Sequence, residues 1–241
     1  TKMNKYKLIA MDLDGTLTQH KSALDEKNTA VLNELKKRYM LVMVGAGDSR
    51  RIYNQMNEYP IDIIGNYGMQ FSVVENGEFR TVRTDSYVAD RDFFEKAVTR
   101  LRKETGYTDY VGDNVEFHAS GAVTFPILGT KAALCDKLAF DPKGEKRSKI
   151  YDKVAGVFKD YNCFIGGSSS FDIVSKDYDK YKALMNYAKE KGVEKDEILF
   201  LGDDFKKGGN DEQIKLGGVD YIAVTDYRSL GELLTEKGII D

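Results

Sequence analysis

Cysteine is scarce in this chain of 241 residues: only Cys135 and Cys163 are present. Two cysteines build no disulfide framework, and neither their spacing nor their company suggests a metal site, so a reducing cytoplasm is the expected compartment. Long hydrophobic runs are missing as well. No apolar stretch approaches the length of a membrane span. The N-terminal apolar run Leu8–Met11 is too short for a signal-peptide core and ends on Asp12, so no leader is expected. Charge of one sign is not in excess either: the net charge is −3, which gives no general reason to expect a nucleic-acid or membrane partner. The densest basic stretch, Lys143–Lys149, reads as a solvated face. Internal repeats and low-complexity tracts are absent. What remains is a globular composition, 41% hydrophobic, long enough for one large domain or two modest ones.

The most informative segment is Asp12-Leu13-Asp14-Gly15-Thr16-Leu17-Thr18, which directly follows the apolar run Leu8-Ile9-Ala10-Met11. Two carboxylates this close, at the end of a buried strand, resist ionising together unless a cation or a shared proton intervenes. A bridging Mg²⁺ would relieve that cost and leave one oxygen of Asp12 free to attack phosphorus, as carboxylates do when they form aspartyl-phosphates. Asp14 could then give a proton to the leaving oxygen. The plainer alternative is a strand-to-turn junction in which Asp and Gly serve only the turn. Leu199-Phe200-Leu201-Gly202-Asp203-Asp204 repeats the logic: a buried strand that ends in carboxylates. Asp12, the backbone carbonyl of Asp14 and Asp203 are the candidate Mg²⁺ ligands, with Asn210 and Asp211 as outer or supporting groups.

Strand and helix patterns alternate through the first eighty or so residues. Leu8–Met11, Leu41–Val44 and Ile61–Ile64 read as strands, with helices carrying Val31, Leu32 and Leu35 and spanning Arg51–Met56 between them. This βαβαβ order predicts a parallel sheet with its ligands at the carboxyl ends of the strands. Asn76-Gly77 marks a hairpin between Phe71–Val74 and Phe79–Val82. A helix over Arg91–Thr105, strands at Val115–Phe117, Ala122–Phe125 and Phe171–Val174, and a helix over Ser148–Phe158 suggest a separate α+β module. The parallel pattern returns with a helix near Lys180–Lys191 and strands at Ile198–Leu201 and Tyr221–Val224. The expected fold class is therefore α/β: a doubly wound parallel-sheet core (1–84 and 178–241) interrupted by an inserted α+β cap (85–177).

The string DLDGTLT resembles the first motif of the haloacid-dehalogenase-like (HAD) superfamily, mostly phosphatases and phosphotransferases with a Rossmann-like core. That resemblance implies that Lys180, which opens the returning helix, balances the nucleophile and the phosphoryl oxygens. It also implies a phosphate-binding turn after the second strand. The superfamily places a Ser or Thr hydroxyl there, whereas this chain has Val44-Gly45-Ala46-Gly47-Asp48. The Gly45 and Ala46 amides are the expected substitutes, and Ser49 is expected to cap the following helix. One branch is closer still. Gly208-Gly209-Asn210-Asp211-Glu212-Gln213-Ile214 resembles the GGNDxEI of eukaryotic-type phosphomannomutases, and Gly166–Asp172 is similar to their GGxxSFD. Asp179-Lys180 falls at the matching distance. The resemblance covers nearly the whole chain and implies a type IIB cap that selects the substrate.

The departures lie in that cap. His118 stands where the branch has an arginine, Thr130 and Lys131 occupy the region of another, no arginine lies between Gly106 and Glu116, and Lys21 replaces a fourth after the first motif. A charge-assisted hydrogen bond contributes about 1.5–3 kcal/mol, so these losses weaken any distal phosphate site. A mutase needs such a site to hold a bisphosphate while it turns round; a phosphatase does not. Sequence thus favours a Mg²⁺-dependent phosphatase for a small phosphorylated metabolite, a sugar phosphate, working as a monomer or homodimer. A hexose-phosphate mutase of the phosphomannomutase type is the alternative. Lys21, His118, Ser170 and Asp172 are the candidate substrate contacts.

Overall fold

The run Leu8-Ile9-Ala10-Met11 has no polar alternate, the pattern of a strand covered on both faces. In the computed structural model, which describes residues 4–241, it is the fully buried strand β1 (Leu8–Met11). It lies parallel to β2 (Met40–Val44) on one side and β10 (Ile198–Gly202) on the other. β3 (Asp62–Gly65) and β11 (Asp220–Ala223) extend the parallel set. β4 (Gln70–Glu75) and β5 (Glu78–Thr84) add an antiparallel hairpin, completing the order β11-β10-β1-β2-β3-β4-β5. The hairpin turns at Asn76 (φ 54°) and Gly77 (φ 78°), and positive φ at both positions is what a two-residue turn asks of Asn-Gly.

Alternate side chains of these strands face opposite ways, and helices cover both faces. Helices α1 (Glu26–Lys36), α2 (Ser49–Gln55) and α8 (Leu230–Glu236) bring Leu32, Leu35, Ile52 and Leu234 against Ile9, Met11, Met43 and Ile63. On the other face α6 (Lys180–Glu190) and α7 (Glu212–Leu216) bring Leu184, Ala188 and Ile214 against Leu8, Ala10, Val42 and Phe200. The result is a doubly wound α/β core with Asp12 and Asp203 just beyond the carboxyl ends of adjacent strands. Among the described residues, no helix is long and apolar enough to cross a membrane.

The chain divides into two compact units. Residues up to Thr84, Asp179–Phe205 and Asp211–Asp241 form the first; Asp85–Tyr178 and Lys206–Asn210 form the second. The inserted unit has a four-stranded antiparallel sheet, in the order β6 (Glu116–Phe117), β7 (Val123–Pro126), β9 (Ser170–Ser175), β8 (Tyr161–Gly166). Helices α3 (Arg91–Thr105) and α5 (Glu145–Val157) share its apolar core, where Phe94, Leu101 and Val154 meet Phe125, Phe171 and Ile173. Helix α4 (Leu134–Phe140) buries no residue, and Cys135 near its start is exposed. Cys163 lies within the insert core, and burial pushes its thiol well above the usual range.

Two expectations need correction. Tyr178 closes the insert instead of opening the core. Residues 206–210, expected with the core, group with the insert because they dock on its sheet edge: Gly209 bridges Ile165, whose N–H donates to the Gly208 carbonyl at 2.7 Å. The two deeply buried arginines of the insert are structural. Arg102 donates to the carbonyls of Tyr107, Pro126 and Ile127 and to Asn114. Arg147 pairs with Asp141 at 2.9 Å and donates to the carbonyls of Gly166, Gly167 and Ser170.

Candidate active site

Parallel pairing alone brings two motifs together. The Asp12 N–H donates to the Leu201 carbonyl at 3.0 Å, which seats Asp12 beside the end of β10. Gly15 lets the chain turn there: its φ is 82°, and a Cβ would run into the Asp203 carboxylate. Asp179 caps α6 by accepting from the Lys182 amide, and this fixes the helix start that carries Lys180. The Lys180 ammonium is fully buried, 2.9 Å from Asp12 Oδ1 and 2.8 Å from Asp211 Oδ1. Asp211 accepts the Asp203 and Asp204 amides on its other oxygen, both at 3.1 Å. Its two oxygens are thus taken by protein donors, which makes it a support for Lys180 and the β10 turn. Carboxylate oxygens of Asp12, Asp203 and Asp211 lie within 4.8 Å of one another.

Three carboxylates against one ammonium leave an excess of negative charge. Burial, with the Asp211 charge adding to it, raises the Asp12 carboxyl above its ordinary range, and Lys180 offsets only part of this. Burial and the charges of Asp12 and Asp211 push Asp203 up to about 9, with a hydrogen bond to Asp12. Without a cation, Asp12 and Asp203 therefore share a proton. Lys180 moves the other way from a lone buried lysine: burial would lower it, but Asp12 and Asp211 hold it above its ordinary value as an ammonium. An all-oxygen set with surplus negative charge suits a hard divalent cation.

Asp14 points its Oδ1 into a cluster of donors. The Gln55 side-chain amide, the Lys21 backbone N–H (3.2 Å) and, more weakly, the Thr18 hydroxyl (3.5 Å) converge on it. Gln55 is the last residue of α2, 41 positions from Asp14 in sequence, and nothing in the local pattern marks it.

The expected phosphate turn is partly misassigned. The Gly45 N–H donates to the Ile64 carbonyl at 2.9 Å, extending the β2–β3 ladder, and is not available to a phosphoryl oxygen. The Ala46 amide has no protein acceptor among the described residues and remains a candidate. Ser49 does not cap α2 either. Asp48 does, accepting from Arg50 and Arg51, while the Ser49 hydroxyl bonds Ser72 at 2.8 Å.

Within the insert, His118 Nε2 lies 2.8 Å from Thr124 Oγ1, which in turn lies 3.5 Å from Asp172 Oδ1. Thr124 was not singled out by sequence, although a threonine between Val123 and Phe125 marks the polar face of a half-buried strand. Ser170 pairs with Pro126 across the same sheet. Lys21 enters the Asp14 cluster through its backbone, at φ 58°. Asn210 groups with the insert and directly precedes Asp211 in the chain.

Known proteins share this architecture. A solved IMP-nucleotidase from Plasmodium falciparum, bound to IMP, superposes with a TM-score of 0.75 at 15% identity, covering 97% of this chain and 68% of that one. The HAD subclass IIB sugar phosphatase BT4131 gives a TM-score of 0.56 at 13% identity, covering 97% of this chain and all of that one. At such identities the likeness shows the HAD fold alone. Sequence goes further: a phosphomannomutase of Schizosaccharomyces pombe is 28% identical over 244 residues, 95% of this chain and 89% of the relative. The eukaryotic phosphomannomutase family model matches residues 28–223, from the middle of the first βα unit to the last strand. With that span and the shared motifs, the chain belongs to the eukaryotic phosphomannomutase family of HAD enzymes.

Proposed function

We propose that the chain is a Mg²⁺-dependent phosphotransferase for hexose phosphates that carries the phosphoryl group on Asp12 and returns it to another hydroxyl of the sugar, as a mutase. One observation carries the phosphotransfer: the buried Lys180 ammonium spans Asp12 and Asp211, with Asp203 hydrogen-bonded to Asp12. Names borne by the relatives, such as that of the S. pombe protein, favour the mutase over the hydrolysis that the missing arginines suggest.

Asp12 attacks phosphorus as the bond to the sugar oxygen breaks, and Asp14 gives its proton to the departing alkoxide. Asp14, now a carboxylate, takes the proton of the acceptor hydroxyl as that oxygen attacks the phosphoryl group and frees Asp12. Lys180 stays charged throughout and offsets the negative charge that builds on the phosphoryl oxygens. Asp12, the Asp14 carbonyl and Asp203 would hold the Mg²⁺, which when bound supplies further charge neutralisation at the transferring group.

A second reading, hydrolysis, has one observation of its own. Arg102 and Arg147 spend their guanidinium groups on backbone carbonyls, Asn114 and Asp141, and a distal phosphate would need other partners. The test is turnover of mannose and glucose phosphates with Mg²⁺, with and without glucose 1,6-bisphosphate, following both isomers and free phosphate. Isomer conversion that needs the bisphosphate supports the mutase. Free phosphate as the main product overturns it in favour of hydrolysis. Turnover that survives Asp12→Asn overturns both.

A further inference from the structure

Asp14 is held at one oxygen only. Gln55 Nε2, the Lys21 N–H and the Thr18 hydroxyl all address Oδ1, and Oδ2 receives no donor among the described residues. A carboxylate oxygen offers about two lone-pair sites, so Oδ1 is filled and cannot also carry a proton. We propose that Gln55 is a positioning residue that makes Oδ2 the proton-bearing atom of Asp14, the one that meets the leaving and attacking oxygens. The proposal rests on the acid/base reading of Asp14 given above.

Gln55 is well placed for this task. Its side-chain nitrogen also donates to the Ser22 carbonyl at 3.0 Å, so both N–H bonds point at acceptors. A flipped amide would aim its oxygen at a carboxylate and a carbonyl, which fixes the orientation. Its own carbonyl accepts the Leu24 N–H at 2.9 Å, so main chain and side chain grip the same loop. That loop includes Lys21 in the left-handed region at φ 58°, a conformation costly for a lysine, and it is in this conformation that the Lys21 amide reaches Asp14 Oδ1. The end of α2, the strained loop and Asp14 thus form one clamp. During the first half-reaction the Oδ2 proton passes to the alkoxide as the phosphorus–oxygen bond breaks. In the second half Oδ2 receives the acceptor's proton.

A clamp on a general acid has a signature that packing does not. Departure of a sugar alkoxide needs protonation, whereas departure of 4-nitrophenolate does not. Turnover of mannose 6-phosphate, and the burst of 4-nitrophenolate released from 4-nitrophenyl phosphate as Asp12 is phosphorylated, are measured for wild type, Asp12→Asn, Asp14→Asn, Gln55→Met and Gln55→Glu. General acid–base assistance is worth about 10²–10⁴-fold, so Gln55→Met is expected to lower kcat on the sugar phosphate about 10- to 100-fold. KM should stay within about twofold and the burst of 4-nitrophenolate, which reports transfer to Asp12 before the acceptor's proton is taken, within about threefold, because departure of that phenolate does not depend on the proton. Gln55→Glu keeps the shape, loses the donors and should show the same split. Equal losses on both esters, or none, with Asp14→Asn still splitting them, overturn the role of Gln55. Turnover retained in Asp12→Asn, no split in Asp14→Asn, or a wild type inactive on both esters overturns the functional reading and the proposal with it.

Discussion

Replacing Asp211 by Asn tests whether this buried carboxylate holds the site up. The side chain is fully buried and makes three bonds: Oδ1 to Lys180 at 2.8 Å, Oδ2 to the Asp203 and Asp204 amides at 3.1 Å each. All three partners are donors. An asparagine of the same volume has one acceptor oxygen and one NH₂, so in either orientation it turns donors towards Lys180 or towards the two amides. Hydrogen bonds to charged groups contribute about 1.5–3 kcal/mol each, and removing one partner from a buried ion pair costs about 3–5 kcal/mol. Lys180 keeps Asp12, and loss of the Asp211 charge eases the repulsion on Asp12 and Asp203, so the expected loss is near the low end, about 3 kcal/mol. Urea unfolding in EDTA at neutral pH measures it. A loss below about 1 kcal/mol would refute the view of Asp211 as the support of Lys180.

Three further outcomes are expected. Gly15→Ala should weaken Mg²⁺ binding and turnover more than global stability, because the added methyl runs into Asp203 and strains a residue at φ 82°; calorimetric Mg²⁺ affinity equal to wild type would contradict this. In the metal-free protein Asp203 is raised from 3.8 to about 9, so the folded chain binds the extra proton between those values and stability falls as pH rises through them. Mg²⁺ must displace that proton, so its affinity should rise by about tenfold per pH unit near neutrality, and a pH-independent affinity would be the contrary result. In the insert, burial would raise Asp141, but Arg147 and the Lys146 and Arg147 amides outweigh it and hold the carboxyl below its ordinary range. The stability it contributes is complete above about pH 4 and is lost as pH falls through the depressed value, so the gap between wild type and Arg147→Met should narrow in acid urea melts, leaving the part that comes from the Gly166, Gly167 and Ser170 carbonyls.

The strand-end carboxylates were legible because their signal is local. Leu8–Met11 followed by Asp12, and Ile198–Gly202 followed by Asp203, each announce a buried strand and a charged tip within a few residues. Parallel pairing of β1 and β10 then does the rest. What escaped depends on contacts remote in sequence. The Gly45 amide looked free until β3 was laid beside β2. Gln55 reaches Asp14 across 41 positions, and no property of a helix-ending glutamine foretells it. Strand β8 was missed because it follows α5 almost directly: Tyr161 donates back to Phe158 without a glycine or proline to mark the break. Segment 206–210 was assigned by chain order, whereas its bonds to Ile165 decide its company.

The unequal fate of the two thiols has a practical consequence. Cys163 is sealed in the insert core and its thiol is held protonated, while Cys135 stands exposed in the first turn of α4. A thiolate is the reactive species, so a maleimide dye offered to the folded protein should attach once, at Cys135. The unmodified chain therefore offers a single native handle for spectroscopy on the inserted unit, and the appearance of a second labelled site would report that unit unfolding.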